Sequence, residues 1–368
     1  MTTAGIIVPL VLSFILGLFF TPLAIGIAVR WKLLEKPNGR TSREIAHIGG
    51  VAIIGAILFA LIPVFLFFLP ESRLDRVFVP VLIASGFLTF LLGIIDDLRS
   101  LHYMYKLFFQ ITVSLFVSAG GLGLLEHFGL VSMSLPMGLA AFGLSSVWML
   151  AVTTSFNLID GIDGLASGIA FISALAFFVA GNIFGQPVIV ALSVVLAGST
   201  MAFLRYNFPP ARIFMGDSGS LFLGLMFGLI SLLMLLPGKD IFYRMSGCVI
   251  ILSIPLMDTV LAFLRRVLTG RPPFEADHMH LHHVLLYHFN SMRKVDFLLW
   301  SISAVFATLG VMTMMASLPA LVISVLLEVI FFSVALKKMV KFNIPMEKVD
   351  EVLSKYGVSS LGILSRED

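Results

Sequence analysis

The sequence predicts an all-α integral membrane protein, a polytopic bundle of about eleven transmembrane helices with its N-terminus outside and its C-terminus in the cytoplasm. Three observations lead there. Of 368 residues, 59% are apolar and only 12% charged, whereas soluble domains carry roughly 25% charged residues. The apolar residues fall in continuous runs rather than in alternation, which excludes a β-barrel. The Lys and Arg residues collect in alternate loops. Mean hydropathy is +1.05, and Phe alone, at 34, outnumbers Lys and Arg together at 24, so most of the surface must face lipid or other helices. A single Cys, Cys248, excludes an intramolecular disulfide. The net charge of +3 would suggest nucleic acid in a soluble protein. Here its distribution matters more than its sum, and the bilayer, not nucleic acid, is the expected partner.

A hydrocarbon core about 30 Å thick takes about 20 residues of helix. Runs of this kind cover residues 5 to 29, 48 to 69, 77 to 95, 105 to 125, 138 to 156, 165 to 181, 187 to 204, 219 to 236, 243 to 264, 296 to 317 and 319 to 336. The first lacks a basic n-region and exceeds the core of a signal peptide, so it reads as a span. Pro63 and Pro255 are tolerated inside spans because neighbours satisfy the freed backbone groups. With eleven spans, the odd-numbered loops share a side with the C-terminal tail. That side holds 20 of the 24 basic residues, leaving Arg73, Arg76, Lys239 and Arg244 opposite, and the positive-inside rule makes it cytoplasmic. The plan is a membrane-embedded unit at 1–336 with cytoplasmic loops at 30–47, 96–105, 157–164, 205–218 and 265–295. A short tail follows at 337–368, with a short helix expected after Pro345. Asp258 and Glu328 are carboxylates well inside the spans.

Polar residues kept at membrane edges point to function. The third span ends in Asp96-Asp97, with Lys106 ten residues past Asp96. Adjacent carboxylates suit a divalent cation, or a proton transfer in which repulsion raises one pKa; a solvated span end explains them equally. The fifth span runs into Asn157-Leu158-Ile159-Asp160-Gly161-Ile162-Asp163-Gly164. Two acids three apart face one way on a helix, and the glycines admit a close ligand; a plain turn is the weaker account. Before the eighth span comes Met215-Gly216-Asp217-Ser218-Gly219-Ser220. Asp217 is either a helix cap or a metal ligand beside a helix end that welcomes phosphate.

The ninth loop carries Asp277-His278-Met279-His280-Leu281-His282-His283, four of the eight histidines. Zinc is the rival reading, but Arg265, Arg266, Arg271, Arg293 and Lys294 nearby repel a cation and attract phosphate. All four motifs fall on cytoplasmic loops. Carboxylate and amide oxygens favour magnesium, or manganese as a substitute, over zinc. Magnesium among acids and basic residues is equipment for handling pyrophosphate. At a membrane face, the natural substrates are a nucleotide-activated donor and a lipid acceptor.

These motifs resemble, in order and on the right loops, the successive signatures of the polyprenyl-phosphate N-acetylhexosamine-1-phosphate transferases, glycosyltransferase family 4. The likeness covers roughly residues 5 to 336. Asp277-x-x-His-Leu-His-His is similar to the branch that moves GlcNAc-1-phosphate from UDP-GlcNAc to undecaprenyl phosphate in O-antigen, common-antigen and teichoic acid synthesis. The peptidoglycan branch, which moves phospho-MurNAc-pentapeptide, has three consecutive His there. The resemblance implies that Asn157 and Asp217 hold magnesium, that Lys106 contacts the diphosphate and that Asp163 faces uracil. It implies Asp96 as a base for the lipid phosphate, Asp97 beside it, Asp160 close to the metal, and His280, His282 and His283 on phosphate oxygens near the acceptor. Lys36 and Asn38 belong to a first-loop element, from Glu35 to Arg43, that is similar to the family's. It departs at Glu35, Arg43 and His47, where the family has Asp, His and Arg. A second copy of the chain is an admissible partner.

The expected reaction is one in-line displacement on the diphosphate, with an enzyme-phosphate intermediate on an Asp as the rival route. A secondary transporter would carry its ionisable residues near mid-membrane, and here they lie in one set of loops. A CDP-alcohol phosphotransferase shares the spacing from Asp160 to Gly164, but Ser167 and Gly168 follow Ala166 where its motif needs an Arg and further Asp residues.

Overall fold

The computed structural model describes residues 2–35, 44–68, 73–99, 101–127, 135–235, 240–270, 279–341 and 352. Lys36, Asn38, Lys239, Arg271, Asp277, His278 and the segment after Pro345 up to Glu351 lie outside the described residues. The chain runs α1 (Thr3–Trp31), β1 (Leu34–Glu35), β2 (Ile45–Ala46), α2 (Gly49–Pro63), which passes into a π-turn at Val64–Phe68, and α3 (Arg73–Arg99). Then come α4 (Tyr103–His127), α5 (Leu135–Ile159), α6 (Leu165–Ile183), α7 (Pro187–Asn207) and α8 (Gly216–Met234). The last are α9 (Ile241–Ile251), α10 (Ser253–Leu268), α11 (Leu281–Phe289), α12 (Met292–Met314) and α13 (Leu318–Lys341).

Among the described residues, nine helices are long and apolar enough to cross a bilayer, and a tenth span follows if α9 and α10 count together. The architecture is therefore that of an all-α polytopic membrane protein. The helix α4, 25 residues long, carries Lys106 and Gln110 in its first eight residues and is not among the nine. The ninth expected span, residues 243 to 264, is not one helix: α9 and α10 meet at a bend of 74°. Pro255 explains part of this, since it sits in the first turn of α10, where a missing N–H costs nothing. The sequence treated this proline as a tolerated guest inside a span; the structure makes it the start of a new helix.

Burial ranks the helices. In α8, 89% of the most apolar window is buried, against 17% in α13, so α8 is the central post and α13 lies at the lipid-facing edge. The post is packed by α5, α3 and α2, with Phe156 stacked on Phe227 at 4.9 Å between ring centres. Its first residues, Gly216 to Ser220, are small, so neighbouring helix ends approach it closely. The two short strands form an antiparallel ribbon, Leu34 opposite Ala46. Ala46 also bridges to Ile213, and the amides of Gly49 and Gly50 donate to the carbonyls of Phe214 and Met215 at 3.0 and 2.7 Å. The start of α2 is thus stitched to the turn that enters α8.

Candidate active site

Motifs far apart in sequence meet where α3, α5 and α8 have their polar ends. Asp217, in the first turn of α8, is the hub. Its Oδ2 accepts from Lys106 Nζ at 2.6 Å, and its Oδ1 accepts from Asn157 Nδ2 at 2.9 Å. The same ammonium pairs with Asp96 Oδ2, so one cation bridges two carboxylates. Asp96 Oδ1 accepts from Leu101 N at 2.6 Å, closing the short connection between α3 and α4. The Asn157 amide donates in addition to Ser220 Oγ at 3.0 Å.

Asp97 has a different task. It accepts from Asp217 N at 2.6 Å, from Ser218 N at 3.2 Å and from Ser218 Oγ at 2.6 Å. The free amides and the positive end of the dipole make a helix N-terminus the favoured place for a carboxylate. Asp97 therefore anchors α8 and aims Asp217. Gly216 makes this approach feasible. Its φ is +73°, and a Cβ there would stand 2.7 Å from Asp97 Oδ2. His47 Nδ1 lies 4.0 Å from Asp97 Oδ1, which brings the described end of the first loop to the same site.

The turn after α5 is held from behind. Asn207, at the end of α7, accepts from Gly164 N at 3.0 Å and Ser167 Oγ at 2.9 Å, and donates to Ile213 O at 2.9 Å. Asp163 Oδ2 accepts from Ala211 N at 2.9 Å. One amide side chain and one carboxylate thus bind the 160s turn to the segment entering α8. Burial pushes the Asp163 carboxyl up to about 6, against the pull of the Ala211 bond. Burial first, then the charges on Asp217, Asp97 and Asp163, hold Asp160 well above the usual carboxylate range.

The histidines are less open than their sequence context suggested. The expected loop becomes helix α11 from Leu281 onward, and His280, His282 and His283 are 5%, 0% and 5% exposed. His280 Nδ1 lies 2.8 Å from Asp258 Oδ2. The other oxygen of Asp258 accepts from Leu281 N at 2.6 Å and stands 3.5 Å from His282 Nδ1. Burial lowers the affinity of His282 for a second proton; Asp258 opposes this and His280 adds to it. A side chain at Gly161 would stand 3.0 Å from His283 Nε2 and closer still to His282 Nε2. The His block therefore rests directly on the Asp160-Gly161 turn.

The sequence profile described as Glycosyl transferase family 4 matches residues 79–235. A Bacillus subtilis protein, named a probable undecaprenyl-phosphate N-acetylglucosaminyl 1-phosphate transferase, is 30% identical over 333 residues, covering 89% of this chain and 90% of the relative. The chain belongs to glycosyl transferase family 4. Two further relatives of this family 4 chain span most of its length. A decaprenyl-phosphate N-acetylglucosaminephosphotransferase of Mycolicibacterium smegmatis is 31% identical, covering 74% of the chain and 73% of the relative. An undecaprenyl-phosphate alpha-N-acetylglucosaminyl 1-phosphate transferase of Escherichia coli is 28% identical, covering 82% of each.

The donor set of the family 4 chain suits a hard cation. Asp217 and the Asn157 side chain supply oxygens on facing helices, and a half-turn of the amide exchanges its nitrogen for its oxygen. Among the described residues, no three His, Cys, Asp or Glu side chains are gathered to enclose an ion unaided.

Asn207 and the role of Asp258 were missed by sequence reasoning. A polar Asn at the end of an apolar span was a signal for the first. Asp258 was visible only as a carboxylate inside a span, and its partner is set by the bend before α10.

Proposed function

We propose that this chain transfers GlcNAc-1-phosphate from UDP-GlcNAc to undecaprenyl phosphate, giving undecaprenyl-diphosphate-GlcNAc and UMP, as the first membrane step of a cell-envelope polysaccharide of the O-antigen, common-antigen or teichoic acid type. The observation that carries the reading is Lys106 held between Asp96 and Asp217, with Asn157 on the other oxygen of Asp217. It puts one ammonium between two carboxylates beside the N-terminus of α8, a helix end that favours phosphate. The names of the relatives supply the substrate classes. The same chemistry on another UDP-HexNAc is the alternative.

In the bilayer we place eleven spans, counting α4 as one and α9 with α10 as one, with the N-terminus outside and the site facing the cytoplasm of the cell's inner membrane. The basic residues on the odd-numbered loops and tail support this.

A phosphate monoester has a second pKa near ~6, so the lipid phosphate arrives largely dianionic and needs little from a base. One of its oxygens attacks the phosphorus that bears GlcNAc, the bond to the UMP phosphate breaks, and UMP leaves with the electron pair. Lys106 meets the diphosphate, and the turn from Asp160 to Gly164 with Ala211 carries Asp163 to the uracil. The His block faces the acceptor phosphate. Asp96 and Asp97 hold Lys106 and α8 in place. Asn157 and Asp217 would hold magnesium, which would supply neutralisation of phosphate charge. Most of the work is alignment and neutralisation of anions.

The test is a panel of UDP-sugars with undecaprenyl phosphate and magnesium, read by UMP release and by the mass of the lipid product. A GlcNAc-phosphate mass increment is expected. UMP release without any lipid product would overturn the reading. With UDP-GlcNAc alone no stoichiometric UMP should appear, and a burst of one UMP per chain would instead indicate a covalent intermediate.

A further inference from the structure

Asp258 is a fully buried carboxylate that the transfer reaction, as read above, leaves without a task. A charge in such a place is retained only where hydrogen bonds compensate its desolvation. Both oxygens are engaged, one by His280 Nδ1 at 2.8 Å and the other by Leu281 N at 2.6 Å. Leu281 is the first residue of α11, so the carboxylate also satisfies an orphan amide at that helix end.

An ionised carboxylate can only accept. The hydrogen in the 2.8 Å contact therefore sits on Nδ1 of His280, and Nε2, on the opposite edge of the ring, is left for another partner. His280 stacks on His282 with ring centres 5.6 Å apart, and His282 abuts the Asp160-Gly161 turn. The two rings are not equivalent. His282 Nδ1 is 3.5 Å from Asp258, too far for a good hydrogen bond, and burial works against a second proton on that ring. The ring that Asp258 holds directly is His280.

We propose that Asp258 is a positioning residue: it fixes His280 in the Nδ1–H form and fixes the start of α11, so that the Nε2 edge of His280 is presented to phosphate. The proposal rests on the transfer reading for the identity of that phosphate, but the protonated nitrogen is a property of the protein alone. The arrangement is the one by which an outer carboxylate orients a functional His elsewhere, where its loss costs about 10–100-fold in activity. Asn at this position offers one acceptor oxygen where two donors need one. Its NH2 then faces either the His280 ring or the Leu281 amide.

Two measurements on the full chain in lipid nanodiscs test this. Nitrogen-15 histidine spectra, with His280 assigned by its absence in His280→Gln, should show the wild-type ring protonated at Nδ1 above neutral pH. A ring protonated only at Nε2 overturns the proposal, whether or not the protein turns over any substrate. In UMP release, Asp258→Asn should lower kcat about 10–100-fold, with KM for UDP-GlcNAc changed by less than about threefold. In a His280→Ala background the same change should add less than about threefold, because residues that act through one another are not additive. A full additional loss in that background would mean that Asp258 serves only the fold. Asp258→Glu, which keeps two acceptor oxygens, should retain more activity than Asp258→Asn. The reverse order also refutes the role. If wild type releases no UMP, the transfer reading fails, and the spectra still decide on Asp258.

Discussion

Replacing Gly216 by Ala probes whether the entrance to α8 is a machined part of the site. The residue has φ +73°, a left-handed conformation that costs an L-residue roughly 1–2 kcal/mol. The new Cβ would also stand 2.7 and 2.8 Å from the two oxygens of Asp97, where ordinary contact begins at 3.4 Å. The carboxylate must retreat by about 0.7 Å, which strains its three bonds to Asp217 and Ser218. Loss of one hydrogen bond to a charged group is worth about 1.5–3 kcal/mol, so the total cost in stability is about 2.5–5 kcal/mol. A shift of this size in the residue that aims Asp217 should lower kcat on the order of 10²-fold. Two controls separate the causes. At Gly185, φ is +64° with nothing within 4 Å of a Cβ, so Gly185→Ala carries backbone strain alone and should keep full kcat. Gly143, in α5, also has nothing within 4 Å, and Gly143→Ala should be neutral or slightly stabilising. Thermal unfolding in detergent and UMP release give both quantities. If Gly216→Ala loses no more stability than Gly185→Ala and keeps kcat within twofold, Asp97 does not position α8 as argued.

Lys106→Met keeps the stem but leaves Asp96 and Asp217 facing each other without their shared cation. Its kcat/KM should drop by about 10²–10³-fold, and magnesium should raise its melting temperature more than it does for wild type, since tighter binding to the folded state stabilises it more. Equal magnesium shifts in both proteins would count against a cation site at Asp217. Asp163 binds its proton more tightly folded than unfolded, its carboxyl being pushed from 3.8 up to about 6. Its contribution to stability therefore falls as pH rises through that interval. Asp163→Asn should be more stable than wild type by about 3 kcal/mol at pH above 7 and indistinguishable from it below about pH 4; parallel pH curves for the two proteins would refute the shift. For the orientation, Met104 is 53% exposed beside the third loop and Asn182 is exposed at the end of α6. In a Cys248→Ser background, Met104→Cys should react with an impermeant maleimide only from the cytoplasmic side, and Asn182→Cys only from outside. The opposite pattern inverts the topology.

The apolar runs, the gathering of basic residues in alternate loops and the polar motifs at span ends are local properties, and the sequence determined them by itself. A run of twenty apolar residues needs no partner to declare itself, and neither does an Asp-Asp pair at its end. What each carboxylate does was decided only by tertiary structure. Asp96 and Asp97 are neighbours in sequence, yet one pairs with Lys106 and the other caps α8, because consecutive residues on a helix point about 100° apart and different elements stand in the two directions. The separation of α9 from α10, and with it the pairing of Asp258 with His280, depends on how the bent pair packs against α5, α12 and α13. Hydropathy does not record that bend, because the run stays apolar on both sides of it, from Cys248 to Met257. The sequence therefore named the chemical groups, and the long-range packing around α8 assigned their partners.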